Sequence, residues 1–184
     1  QINFEQDKSY RPVLDHGFVG LVDHMGSDQS IVRAARVSYG AGTKSISDDR
    51  NLIRYLMRHE HTTPFEMCAV KFHIKLPIFV MRQLVRHRTA SMNEYSARYS
   101  VLTDEFYIPE LAQLQPQSST NKQGREFGEQ WTQEDRQEMQ GVMASAFDVA
   151  YKAYQFLLDE DEGLARELAR SVLPVGGYTE CYWI

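Results

Sequence analysis

Between residues 86 and 99 the chain reads Arg86-His87-Arg88-Thr89-Ala90-Ser91-Met92-Asn93-Glu94-Tyr95-Ser96-Ala97-Arg98-Tyr99. The segment follows directly on an apolar stretch, and little of it is core material. A guanidinium donates paired hydrogen bonds in one plane, which suits phosphates and carbonyl-rich rings. Ser91, Asn93 and Ser96 add neutral donors. Glu94 can accept from a ribose hydroxyl or a ring N–H, or brace an arginine. The set suits a phosphorylated small molecule rich in hydrogen-bonding groups. A plainer reading makes Arg86, Arg88 and Glu94 surface charges in ion pairs, and composition alone does not choose between the two.

The elements that must position this segment follow from periodicity. Residues 17–25 read as a strand. Ser27 is a helix N-cap for a stripe through Ile31, Ala34, Ala35 and Val37. Gly40 and Gly42 mark a loop, and Ser47, Asp48 and Asp49 open a second helix with Leu52, Ile53, Leu56 and Met57 on one face. Pro64 ends that helical stretch. Residues 67–76 alternate, with Val70, Phe72, Ile74 and Leu76 on one face, and parity puts Cys68 with them. Pro77 starts a helix carrying Ile78, Met81, Leu84 and Val85 up to Arg86. The polar run 103–131 reads as a mobile loop insertion. Thr132 caps a long helix with Met139, Val142, Met143, Ala146, Phe147, Ala150, Tyr154 and Leu157 inside. Gly163 separates it from a short helix before Pro174. The mixture without regular strand–helix alternation predicts an α+β domain, 1–184, with an antiparallel or mixed sheet flanked by helices.

The 184 residues, 42% hydrophobic and 24% charged, suffice for one domain with a real core. A net charge of −5 argues against coating a nucleic-acid backbone. No apolar run is long enough to span a membrane. Cys68 and Cys181 suggest neither a disulfide framework nor a metal knuckle, so a reducing cytoplasmic setting is the simplest reading. A metal site from His59, His61, His73 and His87 has no supporting spacing.

At each fixed position, 86–99 resembles the motif R-H-R-x-x-S-x-N-E-x-S-x-R-Y of the flavin-dependent thymidylate synthases. Arg33-Ala34-Ala35-Arg36-Val37-Ser38 is similar to that family's N-terminal helix. His59-Glu60-His61-Thr62-Thr63-Pro64-Phe65-Glu66 is similar to its H-x-(S/T)-P-F-E block, and Ala169-Arg170-Ser171-Val172-Leu173-Pro174 to its A-R-x-x-L-P block. Residues 103–131 have no counterpart.

The resemblance implies that Arg86, His87 and Arg88 line FAD, that Thr63 and Glu94 touch it, and that His61 and Ser38 lie beside it. It implies that Gln83, Arg86, Glu94, Tyr95, Ser96, Ala97 and Arg98 hold dUMP, with Arg98 and Arg170 on the phosphate. Without the family, His61 reads as a helix-end histidine, and Arg166 with Arg170 as a solvated face. The implied reaction is methylation of dUMP to dTMP. Methylenetetrahydrofolate gives the carbon, FAD reduced by NADPH gives the hydride, and no enzyme cysteine adds to C6. Ser96 reads as a binding group, because no base is placed to activate it. The family is a homotetramer with active sites at subunit interfaces. It continues past the tryptophan matching Trp183, and that part carries FAD-binding asparagines and an arginine for the ionised uracil. The catalytic arginine is therefore expected beyond Ile184. A non-catalytic flavin- or nucleotide-binding module is the second reading. An RNA-binding protein is the third, disfavoured by charge and by the lack of an aromatic pattern.

Overall fold

The computed structural model describes residues 2–38, 48–126, 128, 130–159 and 163–184. Gly40, Gly42 and Ser47 lie outside them. Five strands make one antiparallel sheet in the order β1-β2-β3-β5-β4. They are β1 (Tyr10–Val13), β2 (Gly17–Met25), β3 (Ala69–Pro77), β4 (Met92–Glu94) and β5 (Tyr178–Trp183). β5, last in sequence, lies between β3 and the motif strand β4, with Ile74 opposite Cys181 and Cys181 opposite Glu94.

Period-two alternation gives the sheet two different faces. Ile74, Leu76, Cys181 and Trp183 share one, and α3 (Ile78–Leu84) covers it through Met81 and Leu84. The opposite face is aromatic and polar. There the Tyr10 hydroxyl meets His73 Nδ1 at 3.1 Å, and His73 Nε2 lies 3.2 Å from Glu180. Tyr182 stacks on the His73 ring at 4.7 Å.

α1 (Asp28–Val37) and α2 (Asp49–Arg58) pack as a pair with their own small core of Ile31, Val32, Ala35, Leu52 and Leu56. Ser27 closes a capping box with Ser30, and the Asp48 carboxylate accepts from the Arg50 N–H. α2 does not stop because of Pro64. Glu60 takes a left-handed φ of 56°, and the His61 N–H returns to the Leu56 carbonyl at 2.9 Å. This is a Schellman-type ending built on a non-glycine residue. Met57 and Val70, expected inside, are exposed. Cys68 does not join the sheet core either. It sits half-buried before β3 against the α1–α2 cluster, its thiol 3.5 Å from the Ser27 carbonyl. Gly26, at φ 84°, permits this approach, since a Cβ there would fall 2.6 Å from the Met67 carbonyl oxygen.

α4 (Gln133–Leu157) opens on a Thr132–Asp135 capping box. It carries two apolar stripes where periodicity suggested one wide face. Phe147, Tyr151 and Tyr154 face inward, and Phe147 stacks on Phe106 at 5.0 Å. Met139, Val142, Ala146, Val149, Ala153 and Phe156 recur at alternating steps of three and four and lie outside, Val149 67% and Phe156 80% exposed. The start of the 103–131 run is anchored: Phe106 is buried, the Tyr178 N–H donates to the Glu105 carbonyl, and Lys75 pairs with Glu105 at 2.7 Å. None of the described helices is long and apolar enough to cross a membrane.

Candidate functional site

The motif leaves α3 as a turn, pairs as β4 along β5, then closes in a second turn. The Ser91 N–H donates to the Ile184 carbonyl and the Ile184 N–H to the Ser91 carbonyl, at 2.8 and 3.0 Å. The Tyr95 N–H donates to the Glu180 carbonyl at 2.8 Å. The Ser96 hydroxyl accepts from the Arg98 N–H at 3.3 Å, and its carbonyl accepts from Tyr99 and Ser100. The Ser96 hydroxyl thus helps shape the turn that presents Arg98, the kind of local side-chain bond serine favours, while its O–H keeps no acceptor among the described residues. α5 (Arg166–Ala169) locks the same turn, because Arg166 donates to the Tyr99 carbonyl at 2.9 Å.

These constraints converge on one cavity of about 420 Å³, inside the ~300–1,000 Å³ range of small-molecule sites. Its lining includes Glu94, Tyr95, Ser96, Ala97, Arg98 and Arg170. The substrate residues expected from 94–98 and Arg170 therefore come together, although Arg170 lies in the last helical turn of the chain. Gln83 and Arg86, expected with them, stay exposed outside this lining. Leu102, Thr179, Ile78 and Leu173 complete the cavity, and sequence reasoning missed all four. Leu102 is clamped by α4: its N–H donates to the Tyr154 hydroxyl, and the Tyr151 hydroxyl donates to its carbonyl, both at 3.2 Å.

The ion-pair reading of the motif fails. None of Arg86, Arg88, Arg98 or Arg170 forms a salt bridge among the described residues. Among the described residues Arg170 Nε donates to the Glu167 carbonyl alone, and Arg98 lies over the Tyr99 ring at 5.6 Å. Unpaired guanidinium groups beside a cavity suit an anionic ligand.

The expected flavin residues occupy different ground. Ser38 follows α1, while His61 and Thr63 follow α2. Arg86, His87 and Arg88 follow α3, and all six are exposed. His61 stands in an aromatic group with Tyr55 and His59, its ring 6.0 Å from Tyr55. Exposed rings and free guanidinium groups fit a planar, diphosphate-bearing cofactor in chemistry. Glu94 alone of the flavin set reaches the cavity. Among the described residues no cluster of His, Cys, Asp or Glu is placed to hold a metal ion.

Cys181 is buried, and burial pushes its thiol up to about 11, so it holds its proton at neutral pH. Behind the sheet, burial raises Asp15, but hydrogen bonds from the Tyr178 hydroxyl and the Ile108 N–H outweigh it and leave its carboxyl lowered. Glu105 is likewise raised by burial and, on balance, lowered by Lys75 and Thr103.

The family described as thymidylate synthase complementing protein matches residues 20–184. A flavin-dependent thymidylate synthase of Ehrlichia ruminantium (strain Gardel) is 59% identical over 172 residues, 93% of this chain and 56% of that protein. One from Rickettsia bellii is 54% identical over 186 residues, 95% of this chain and 63% of that protein. The chain thus spans about three-fifths of the length of these relatives. The crystal structure of the UMP/dUMP methylase PolB from Streptomyces cacaoi, bound with 5-Br UMP, superposes with a TM-score of 0.79 at 41% identity, covering 93% of this chain and 71% of that one. Sequence, fold and motif agree: the chain belongs to the family of the thymidylate synthase complementing proteins, that of the flavin-dependent thymidylate synthases.

Proposed function

We propose that the protein methylates dUMP at C5 to give dTMP, with methylenetetrahydrofolate as carbon donor and NADPH as the source of electrons. The observation that carries this reading is the convergence of Glu94–Arg98 with Arg170 on one cavity flanked by unpaired arginines. Arg98 and Arg170 would take the phosphate, and Glu94 would accept from the ring or the ribose. The backbone N–H groups of Ser96 and Ala97, which have no partner among the described residues, would orient the base. The names of the relatives support FAD as the cofactor. When bound and reduced, FAD would supply the hydride that completes the methyl group. Arg86, His87, Arg88, Thr63, Glu94, Ser38 and His61 would hold it, and Gln83 with Arg86 would also hold the nucleotide. The protonated, buried state of Cys181 and the packing of Cys68 away from the cavity support a reaction without a protein thiolate. Their free state also supports a cytoplasmic setting.

We further propose that the active protein is a homotetramer with sites at subunit interfaces. Two features support this: the flavin residues lie open on one chain, and the outer stripe of α4 is apolar over its length. The 103–131 run stays anchored through Gln113, since Gln140 of α4 donates to the Pro109 carbonyl and the Tyr107 hydroxyl to the Gln113 side chain, and only the polar part beyond it is proposed to move when no ligand is bound.

The test is tritium release from C5-labelled dUMP by the full-length protein. Release that requires both NADPH and methylenetetrahydrofolate, with dTMP formed in step, is the expected result. A yellow protein that binds dUMP and releases no tritium would instead make this a binding module.

A further inference from the structure

Thr179 is a buried residue with a hydroxyl side chain, 5% exposed. It stands in β5 opposite Leu76, on the face that carries the apolar core. A buried strand position of this kind would suit valine, which has the same shape and no hydroxyl to desolvate. The hydroxyl therefore needs a partner, and it has one: Oγ1 donates to Glu94 Oε1 at 2.8 Å. Pairing explains the reach. Cys181 is directly opposite Glu94, so Thr179 is the diagonal neighbour on the same face.

Glu94 needs such a partner. It ends a strand of three residues at the sheet edge, and it is exposed. Strand pairing fixes its Cα but leaves the side-chain torsions free. The bond from Thr179 removes that freedom, and both residues line the cavity. Oε2 carries no hydrogen bond among the described residues, so one carboxylate oxygen is anchored and the other stays available.

We propose that Thr179 is a positioning residue, which holds Glu94 so that its free oxygen meets an N–H or O–H group of the bound nucleotide. This rests on the reading of the cavity as the dUMP site. Held in advance, the carboxylate does not have to be ordered when the ligand arrives.

The test uses the full-length protein, calorimetric titration of dUMP, and the KM and kcat of tritium release. Thr179→Val should weaken dUMP binding about tenfold, as expected for one hydrogen bond to a charged group. KM should rise by a similar factor. Thr179→Ser, which keeps the hydroxyl, should return binding to within about twofold of the parent. In a Glu94→Ala background Thr179→Val should change dUMP binding no further. Should the valine variant not fold, Thr179→Ala takes its place in each arm. Wild-type dUMP affinity in Thr179→Val, failure of serine to restore it, or an undiminished effect in the Glu94→Ala background overturns the proposal. If Glu94→Ala weakens dUMP but Thr179→Val does not, the cavity reading stands and this inference alone falls. If Glu94→Ala itself binds dUMP normally, the role given to Glu94 falls, and that of Thr179 with it.

Discussion

Two stretches of ligand candidates, adjacent in sequence, are built in opposite ways. Residues 94–98 lie on a shelf fixed by β5, by the Ser96 turn and by the Arg166 bond to Tyr99. Residues 86–88, with Ser38, His61 and Thr63, sit at helix ends and face solvent. The first group forms a cavity with Arg170, and the second does not join it. Strand pairing gives a short motif its geometry inside one chain, whereas helix termini give a surface that a further body has to complete. The shelf is read as the nucleotide side, the open surface as the flavin side.

The comparison breaks most severely if the open side does not depend on assembly. Val149→Glu puts a charge in the outward stripe of α4, and a buried unpaired carboxylate costs several kcal/mol. The expected outcome is loss of the tetramer in light scattering and loss of most bound flavin, with the helical circular dichroism kept. A tetramer that persists with full flavin would separate α4 from the flavin side.

A smaller effect sharpens the shelf. Tyr154 is fully buried, and its hydroxyl satisfies the Leu102 N–H at the cavity wall. Tyr154→Phe leaves that donor unpaired and should lower stability by about 1–2 kcal/mol in urea unfolding.

Acid acts behind the shelf. Asp15 and Glu105 have ordinary values of 3.8 and 4.5, and both are lowered in the folded protein. Their contribution is present above those values and is lost as pH falls through the lower folded ones. The melting temperature should therefore drop below about pH 4.5. The double variant Asp15→Asn with Glu105→Gln should flatten that drop.

The smallest expected effect is on catalysis by the thiols. Cys68→Ala with Cys181→Ala should retain NADPH-dependent dTMP synthesis and lower stability by about 1 kcal/mol. A folded, flavin-loaded double variant that makes no dTMP would contradict the thiol-free reaction.

Much of this was legible in the sequence because local physics decides it. β2, β3, α1 and the Thr132 cap follow from alternation, helical spacing and capping residues. β5 reads as an aromatic tail, since only pairing with β3 and β4 makes Tyr178–Trp183 a central strand. Without β5 neither Thr179 nor the route from Glu94 to the core can be seen. β1 is a short edge strand containing Pro12, the setting in which a strand tolerates proline. Met139, Val142 and Phe147 merge into one apolar face by periodicity, and packing alone separates the inner from the outer. Arg170 entered the site set through the family resemblance. Its spacing from Arg166 gives only a solvated face.

The assignment of the shelf to the nucleotide and the open surface to the flavin is tested most directly on Arg98. Calorimetric titration of dUMP into full-length Arg98→Ala should show binding weakened by roughly 1.5–3 kcal/mol, the scale of a charged hydrogen bond, with flavin content unchanged. Undiminished dUMP binding, or equal loss of dUMP and FAD, would contradict the assignment.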